Sequence, residues 1–308
     1  MYLQQAADGY AKLGDQTGRI RVAQDLGQLA IARGRWNEAR AQLLLSLRDA
    51  EGQQMMEEAA VSRRHLAELE LWQGHLHASI EQARTAEASF RRRDDARGAV
   101  DAGLLHVEAL LAAHAPVPAQ RMLDALQPAL AEVSVEQRAI AQLLRAQHAL
   151  DDGDPGGAAK ALGEARKLAA PTGVRQLQLR IDLLALRLPP VDAAAVSALD
   201  AATDSLGHAG LRLGWLELAL QRATATRDTA EARALYREAA AMLRGGDFVR
   251  AEALHRLGAV AHSQAGDASG ARAAAARADE ARATLHAALP PTLRAGFGVA
   301  RSSGDDAR

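Results

Sequence analysis

Three groups of residues have types and spacings that could do chemistry. His75-Leu76-His77, with His65 one helix earlier, offer imidazoles to a metal. A closed zinc site takes four ligands, and neither a cysteine nor a well-placed carboxylate completes this set, so the histidines read as turn and surface residues. Asp152-Gly153-Asp154-Pro155-Gly156-Gly157 has the first acid and sixth-position glycine of a calcium loop, but Gly163 stands twelfth, where a bidentate glutamate is needed. That segment reads as a turn. Arg91-Arg92-Arg93 could clamp an anion, yet Asp94-Asp95 neutralise the run, as in a solvated loop. No GxxxxGK phosphate loop, GxGxxG, GxSxG or HExxH is present. The chain is therefore expected not to be an enzyme, with no catalytic residues, no cofactor and no metal.

The elements that must position any binding residues are helices. Hydrophobic residues make up 48% of the 308 positions while aromatics make up 3%, so alanine and leucine, both strong helix formers, supply the apolar content. No Val-, Ile- or Thr-rich alternating run suggests a strand. The formal net charge is −1, and Lys12, Lys160 and Lys167 are the only lysines. Such a balance gives no basic face for nucleic acid. No apolar run reaches bilayer length, and Met1 to Gln5 lacks the pattern of a signal peptide. A cytoplasmic protein without nucleic-acid or membrane partners is expected.

At this length one ordinary core is improbable and a repeat array becomes the better expectation. Asp25 to Leu47 reads as two helices broken at Gly34, and the pattern recurs with turns at Gly74, His114, Gly153, Pro189, Arg227 and Gly266, every 36 to 40 residues. The second helix of each pair carries a trio spaced by four and then three, which shares one helical face. The trios are Ala39-Leu43-Ser46, Ser79-Ala83-Ala86, Ala119-Leu123-Leu126, Ala158-Leu162-Ala165, Ala194-Ala198-Ala201, Ala232-Tyr236-Ala239 and Ala271-Ala275-Ala278. Small residues at the outer positions allow close backbone approach. Loops are expected at 14–18, 50–54, 92–98, 171–173, 207–210 and 245–247, with Pro116 and Pro118 in a turn and first helical positions and Pro128 ending a helix early.

Leu26, Gly27, Gly34 and Ala39 together resemble a tetratricopeptide repeat, and about residues 20 to 285 are similar to seven degenerate copies. The resemblance implies an all-α fold, an α-α superhelix (a TPR-like right-handed solenoid), with first helices lining a concave groove. The period, near 39, exceeds the usual 34. The Leu13-Gly14-Asp15-Gln16-Thr17-Gly18 linker further resembles the C-terminal arrays of large bacterial signalling proteins, nucleotide-binding regulators and Ser/Thr kinases.

Residues 1–19 are expected to form the helix of a preceding or capping half-repeat, 20–288 seven repeats, and 289–308 a cap and frayed tail. Opening on half a pair suggests the C-terminal part of a longer chain, with an upstream kinase or ATPase module as one partner. Groove positions implied by the resemblance are Arg21, Gln24, Gln28, Arg64, Glu68 and Trp72, suited to a protein or peptide segment. Trp36, beside the turn, is expected to staple its helix pair; Trp72 is open to either packing or partner contact. The expected function is a protein-interaction scaffold, as a signalling arm or a free-standing adaptor. A helical-repeat enzyme or RNA binder is disfavoured by the neutral charge.

Overall fold

The computed structural model describes residues 2–189, 193–244, 248–295 and 297. Among them every regular element is helical. A first helix, α1 (Tyr2–Leu13), precedes seven antiparallel pairs. These are α2 (Gln16–Ala32) with α3 (Trp36–Gly52), α4 (Met56–Trp72) with α5 (Leu76–Arg91), and α6 (Ala96–Ala112) with α7 (Pro116–Leu126). They continue as α8 (Val135–Asp151) with α9 (Pro155–Ala169), and α10 (Arg175–Ala185) with α11 (Ala193–Leu206). The last are α12 (Ala209–Ala225) with α13 (Thr229–Leu243), and α14 (Ala251–Gln264) with α15 (Ala268–Ala287), before a short α16 (Pro291–Arg294). Each helix packs on the next, which makes the chain an α-α solenoid.

Local chemistry sets these boundaries. The turns inside pairs carry a left-handed residue at Gly34, Gly74, His114, Gly153, Arg227 and Gly266, the expected turn positions apart from Pro189. Gly14, Gln54, Asp94, Gly173 and Gly207 do the same between pairs. A left-handed residue ends a helix by turning its last N–H groups back onto free carbonyls. The next helix often starts on an aspartate three residues before a glycine. Asp15, Asp95, Asp154 and Asp267 accept from the backbone N–H of Gly18, Gly98, Gly157 and Gly270 at 2.8–2.9 Å. Each such cap contributes about 1 kcal/mol. The glycine also clears space, since a Cβ at Gly18 or Gly98 would run into the ring of Tyr10 or Phe90. The expected loops at 14–18 and 92–98 are accordingly shorter than read, because Gln16–Gly18 and Ala96–Gly98 are already helix. The 245–247 loop and the 302–306 tail lie outside the described residues.

Five of the seven trios are buried as spaced. The fifth is not: Ala194, Ala198 and Ala201 face solvent, while Val196, Leu199 and Thr203 are buried. An alanine-rich helix has no size contrast to fix its register, so its few larger apolar residues take the buried face. In the seventh trio Ala275 is exposed and Ala274 is buried in its place. The turn read at Pro189 is also displaced, since α10 ends at Ala185.

The array does not stay open. After about five pairs it returns on itself, and the ends of pairs 6 and 7 stack on the turns of pairs 1 to 3. The Val249 N–H donates to the Trp72 carbonyl at 2.9 Å, and the His77 N–H to the Ala288 carbonyl at 2.8 Å. Ile31 and Trp36 share one buried cluster with Leu211, Trp215 and Phe248, and Leu76 shares another with Leu289. The expected open groove is thereby corrected to an enclosed one. Gly34 and Gly153 separate the energy of this closure from that of turn geometry. Both are left-handed, so alanine costs about 1 kcal/mol at either. A Cβ at Gly34 would lie 2.9 Å from that of Ala209, whereas nothing lies within 4 Å at Gly153. Gly34→Ala is expected to lose about 2–3 kcal/mol in urea denaturation followed by circular dichroism, against about 1 for Gly153→Ala. Equal losses would contradict the stacked turns.

Candidate functional site

The six residues expected in the groove all fall on α2 and α4, and the structure employs most of them to fasten one pair to the next. Arg21 reaches from the surface to Glu58 at 2.7 Å. Gln24 is only 5% exposed, its amide donating to the Glu58 carbonyl and to Ser62 Oγ, both at 3.0 Å. Gln24 is thus a buried link between helices with no surface to offer a partner. Gln28 donates to Glu68 Oε2 at 3.0 Å and contacts His65 Nδ1, while Arg64 reaches His65 Nδ1 at 3.0 Å and Glu68 at 3.5 Å. Trp72 alone turns fully toward the second turn of the array. Its ring stacks on Phe248 with centroids 6.0 Å apart, tilts against His208 at 5.6 Å, and covers Gly210.

The buried cluster around Glu68 holds its charges in fixed states. Burial alone would raise the Glu68 carboxyl, but Arg64, His65, the Gln28 amide and His208 outweigh it and hold the group below the ordinary carboxylate range. Burial, with Arg64 adding to it, pushes His65 down to about 3. With two donors facing Nδ1, the ring is neutral and carries its proton on Nε2. His208, beside the same carboxylate, is lowered by burial too.

The groove positions continue past pair 2, at one place in each of the next first helices and just past the end of α10: Gln28, Glu68, Glu108, Gln147 and Arg187, 39 or 40 residues apart. From Glu108 onward they open into a cavity of about 440 Å3 on the solenoid axis, walled by α4, α6, α8, α10, α12 and α14. Its floor is apolar, with Leu111, Leu143, Leu183 and Leu218, and Trp72 stands at one edge. A belt of ion pairs surrounds it. Arg180 crosses from α10 to Glu108 of α6 at 2.7 Å, Arg187 reaches Asp151 at 3.4 Å and Gln147 at 3.1 Å, and Arg250 reaches Glu217 at 3.0 Å. Glu217, with Asp151 and Glu108 behind it, pushes the Arg250 guanidinium above its already high ordinary value. The cavity therefore combines an apolar floor with charges of both signs at the wall. That arrangement suits a segment carrying apolar and polar side chains together, because each wall arginine can exchange one carboxylate for another.

The other residues singled out in the sequence have structural employment. His75 Nδ1 meets Glu70 Oε2 at 2.7 Å, and Glu70 also takes Arg40 from the neighbouring pair. His65 sits apart in the Glu68 cluster, and among the described residues no three His, Asp or Glu side chains converge as metal ligands. Arg91 pairs with Glu87, Arg92 donates to Ser89, and Arg93 reaches Glu57. Asp94 and Asp95 make the turn and cap that follow. Trp36 is buried, as expected of a staple. The cavity wall from Arg180 onward was missed in the sequence. The signal available was the 40-residue recurrence of the groove position, which reaches Glu108, Gln147 and Arg187. No family model matches the chain, and no curated protein matches it.

The neutral state of His65 makes stability fall with acidification. Its folded value lies below its unfolded value of 6.5, so protons bind the unfolded chain first as pH drops from 6.5 toward 3. Between pH 7.5 and 5 this one ring is expected to remove about 2 kcal/mol of stability. His65→Asn keeps an acceptor near the Nδ1 position and does not titrate. Urea denaturation of the variant at both pH values should show that decrement missing, and an unchanged pH dependence would exclude His65 as its source.

Proposed function

We propose that the chain is a non-catalytic interaction scaffold whose axial cavity receives a short segment of a partner protein. The observation that carries this reading is the cavity itself, concave, apolar at the floor and edged by Trp72 and three arginine–carboxylate pairs. Ligand sites are commonly concave and mostly apolar, with a few fixed polar groups for orientation. Tryptophan and arginine are the residues most enriched where binding energy concentrates. The tetratricopeptide resemblance agrees with this use of first helices. That the scaffold serves as the C-terminal arm of a bacterial signalling protein rests on the resemblance of its long-period copies, with linkers such as Leu13–Gly18, and of its Leu289–Arg294 ending.

Among the described residues no helix is long and apolar enough to cross a membrane.

Gly214 gives a clean test. It sits on α12 at the cavity wall, and its nearest neighbour beyond its own helix is Leu183 Cδ1, 4.0 Å from where a Cβ would stand. Gly214→Ala should stabilise α12 by about 0.5–1 kcal/mol through helix propensity and leave binding intact. Gly214→Phe should fill the cavity. Peptides selected from a random library on the full chain should then bind the wild type and Gly214→Ala, and lose at least tenfold on Gly214→Phe. Peptides that bind all three equally would place recognition elsewhere and end the cavity reading.

A further inference from the structure

A second and more open cleft, of about 670 Å3, lies where α13, α14 and α15 meet, away from the axial cavity. Three helices present titratable groups to it in register. Arg237 on α13 and Arg244, which follows its last residue, are seven residues apart, about two turns along one face and roughly 10 Å. On α14, His255 and His262 have the same spacing, and α15 contributes Arg277 and Glu280. Tyr236 forms the floor, its hydroxyl 2.9 Å from His255 Nδ1 and its ring edge-on to His255 and His262, with centroids 5.9 and 5.6 Å away. The chain makes room for that ring at Gly258, where any Cβ would collide with it.

The charge of this cleft departs from the rest of the molecule. Net charge over the whole chain is −1, and each arginine named at the axial cavity has a carboxylate partner. Arg237, Arg244 and Arg277 have none among the described residues, while Glu280 is the single carboxylate lining the cleft. Three guanidiniums against Glu280, and Asp267 held on His262 Nδ1 at 2.9 Å, still leave a local positive excess over a floor of Tyr236 and two imidazoles. Guanidinium donors match phosphoryl oxygens in pairs. Their spread along two helical turns favours a ligand longer than one ion.

We propose that this cleft is an oligophosphate-binding site, in which Arg237, Arg244 and Arg277 hold successive phosphoryl groups. The inference is independent of the axial cavity and of what binds there. Inorganic tripolyphosphate is the probe, titrated calorimetrically into the full chain at low ionic strength. Saturable binding is expected, weakening as salt is added. Arg244→Glu and Arg277→Glu should each weaken it at least tenfold, and Glu280→Gln should strengthen it. Arg121→Glu, the same charge change at an exposed arginine on α7, should alter it less than twofold. All four side chains are exposed, so unchanged melting temperatures will show that the variants fold. Failure to saturate by about 1 mM, equal weakening by Arg121→Glu, or citrate binding as tightly as tripolyphosphate would each overturn the assignment.

Discussion

Close approach of helix backbones at small side chains is the contact on which this molecule is built. Ala39, Ala83, Ala119, Ala158 and Ala232 are wholly buried on the outer helices. On the inner helices a Cβ at Gly27 would come within 2.6 Å of Leu43, and one at Gly103 within 2.8 Å of Leu126. Each pair cannot bury its apolar stripe alone and must share it with a neighbour. With small residues at the seam, backbone shape sets how closely neighbouring helices approach. The step between pairs, taken six times, decides how tightly the array curves, and here it curves tightly enough to meet itself.

That meeting changes what the inner face can be. In an open groove, Gln28, Arg64 and Glu68 would face water. Here they lie beneath the stacked ends of pairs 6 and 7, where His208 adds to their cluster. A buried charge is tolerated only when paired and hydrogen-bonded, and Glu68 meets that requirement through Arg64 and Gln28. The cluster is a fastening whose charge states are locked by desolvation. Further along the axis the same face opens into the cavity, whose ion pairs are about as accessible as Arg64–Glu68. Arg250 is 44% exposed at its side chain although its partner Glu217 is 19% exposed. The inner face thus carries polar contacts both beneath the stacked ends and at the cavity wall.

The pair architecture was legible in the sequence because it is written in local terms. A turn residue and a trio of small positions recur at near-constant spacing, and five trios are buried as read. Register was lost where that contrast vanished, in the alanine runs of α11 and α15. Of the residues expected in the groove, Trp72 lines the cavity while Gln28 and Glu68 link α2 to α4. That employment was not legible. Whether an inner residue meets a partner, a neighbouring pair or the far end of the chain depends on the total curvature, a sum of small rotations that no local spacing reports. The contacts that close the array, Val249 to Trp72 and His77 to Ala288, join residues far apart in sequence with no shared motif. The aspartate caps are local too, each an Asp-x-x-Gly in sequence.

Closure also ties the cavity to the stability of the array. Its wall is drawn from pairs 2 to 5 on one side and from Gly210, Glu217, Val249 and Arg250 of pairs 6 and 7 on the other. A segment seated there touches both turns at once, so it favours the closed arrangement over any in which the turns part. A ligand that binds only one of two states stabilises it by RT ln(1 + [L]/Kd), about 2.7 kcal/mol at a hundredfold excess over Kd. The direct closing contacts comprise two backbone hydrogen bonds, the Trp72–Phe248 stack and the apolar clusters at Gly34 and Gly74, of which each hydrogen bond contributes about 1 kcal/mol net. Occupancy of the cavity is thus comparable in energy to individual contacts that close it. Any ligand seated in the cavity would be coupled to the shape of the fold by geometry alone, because Trp72 belongs both to the cavity edge and to the closure.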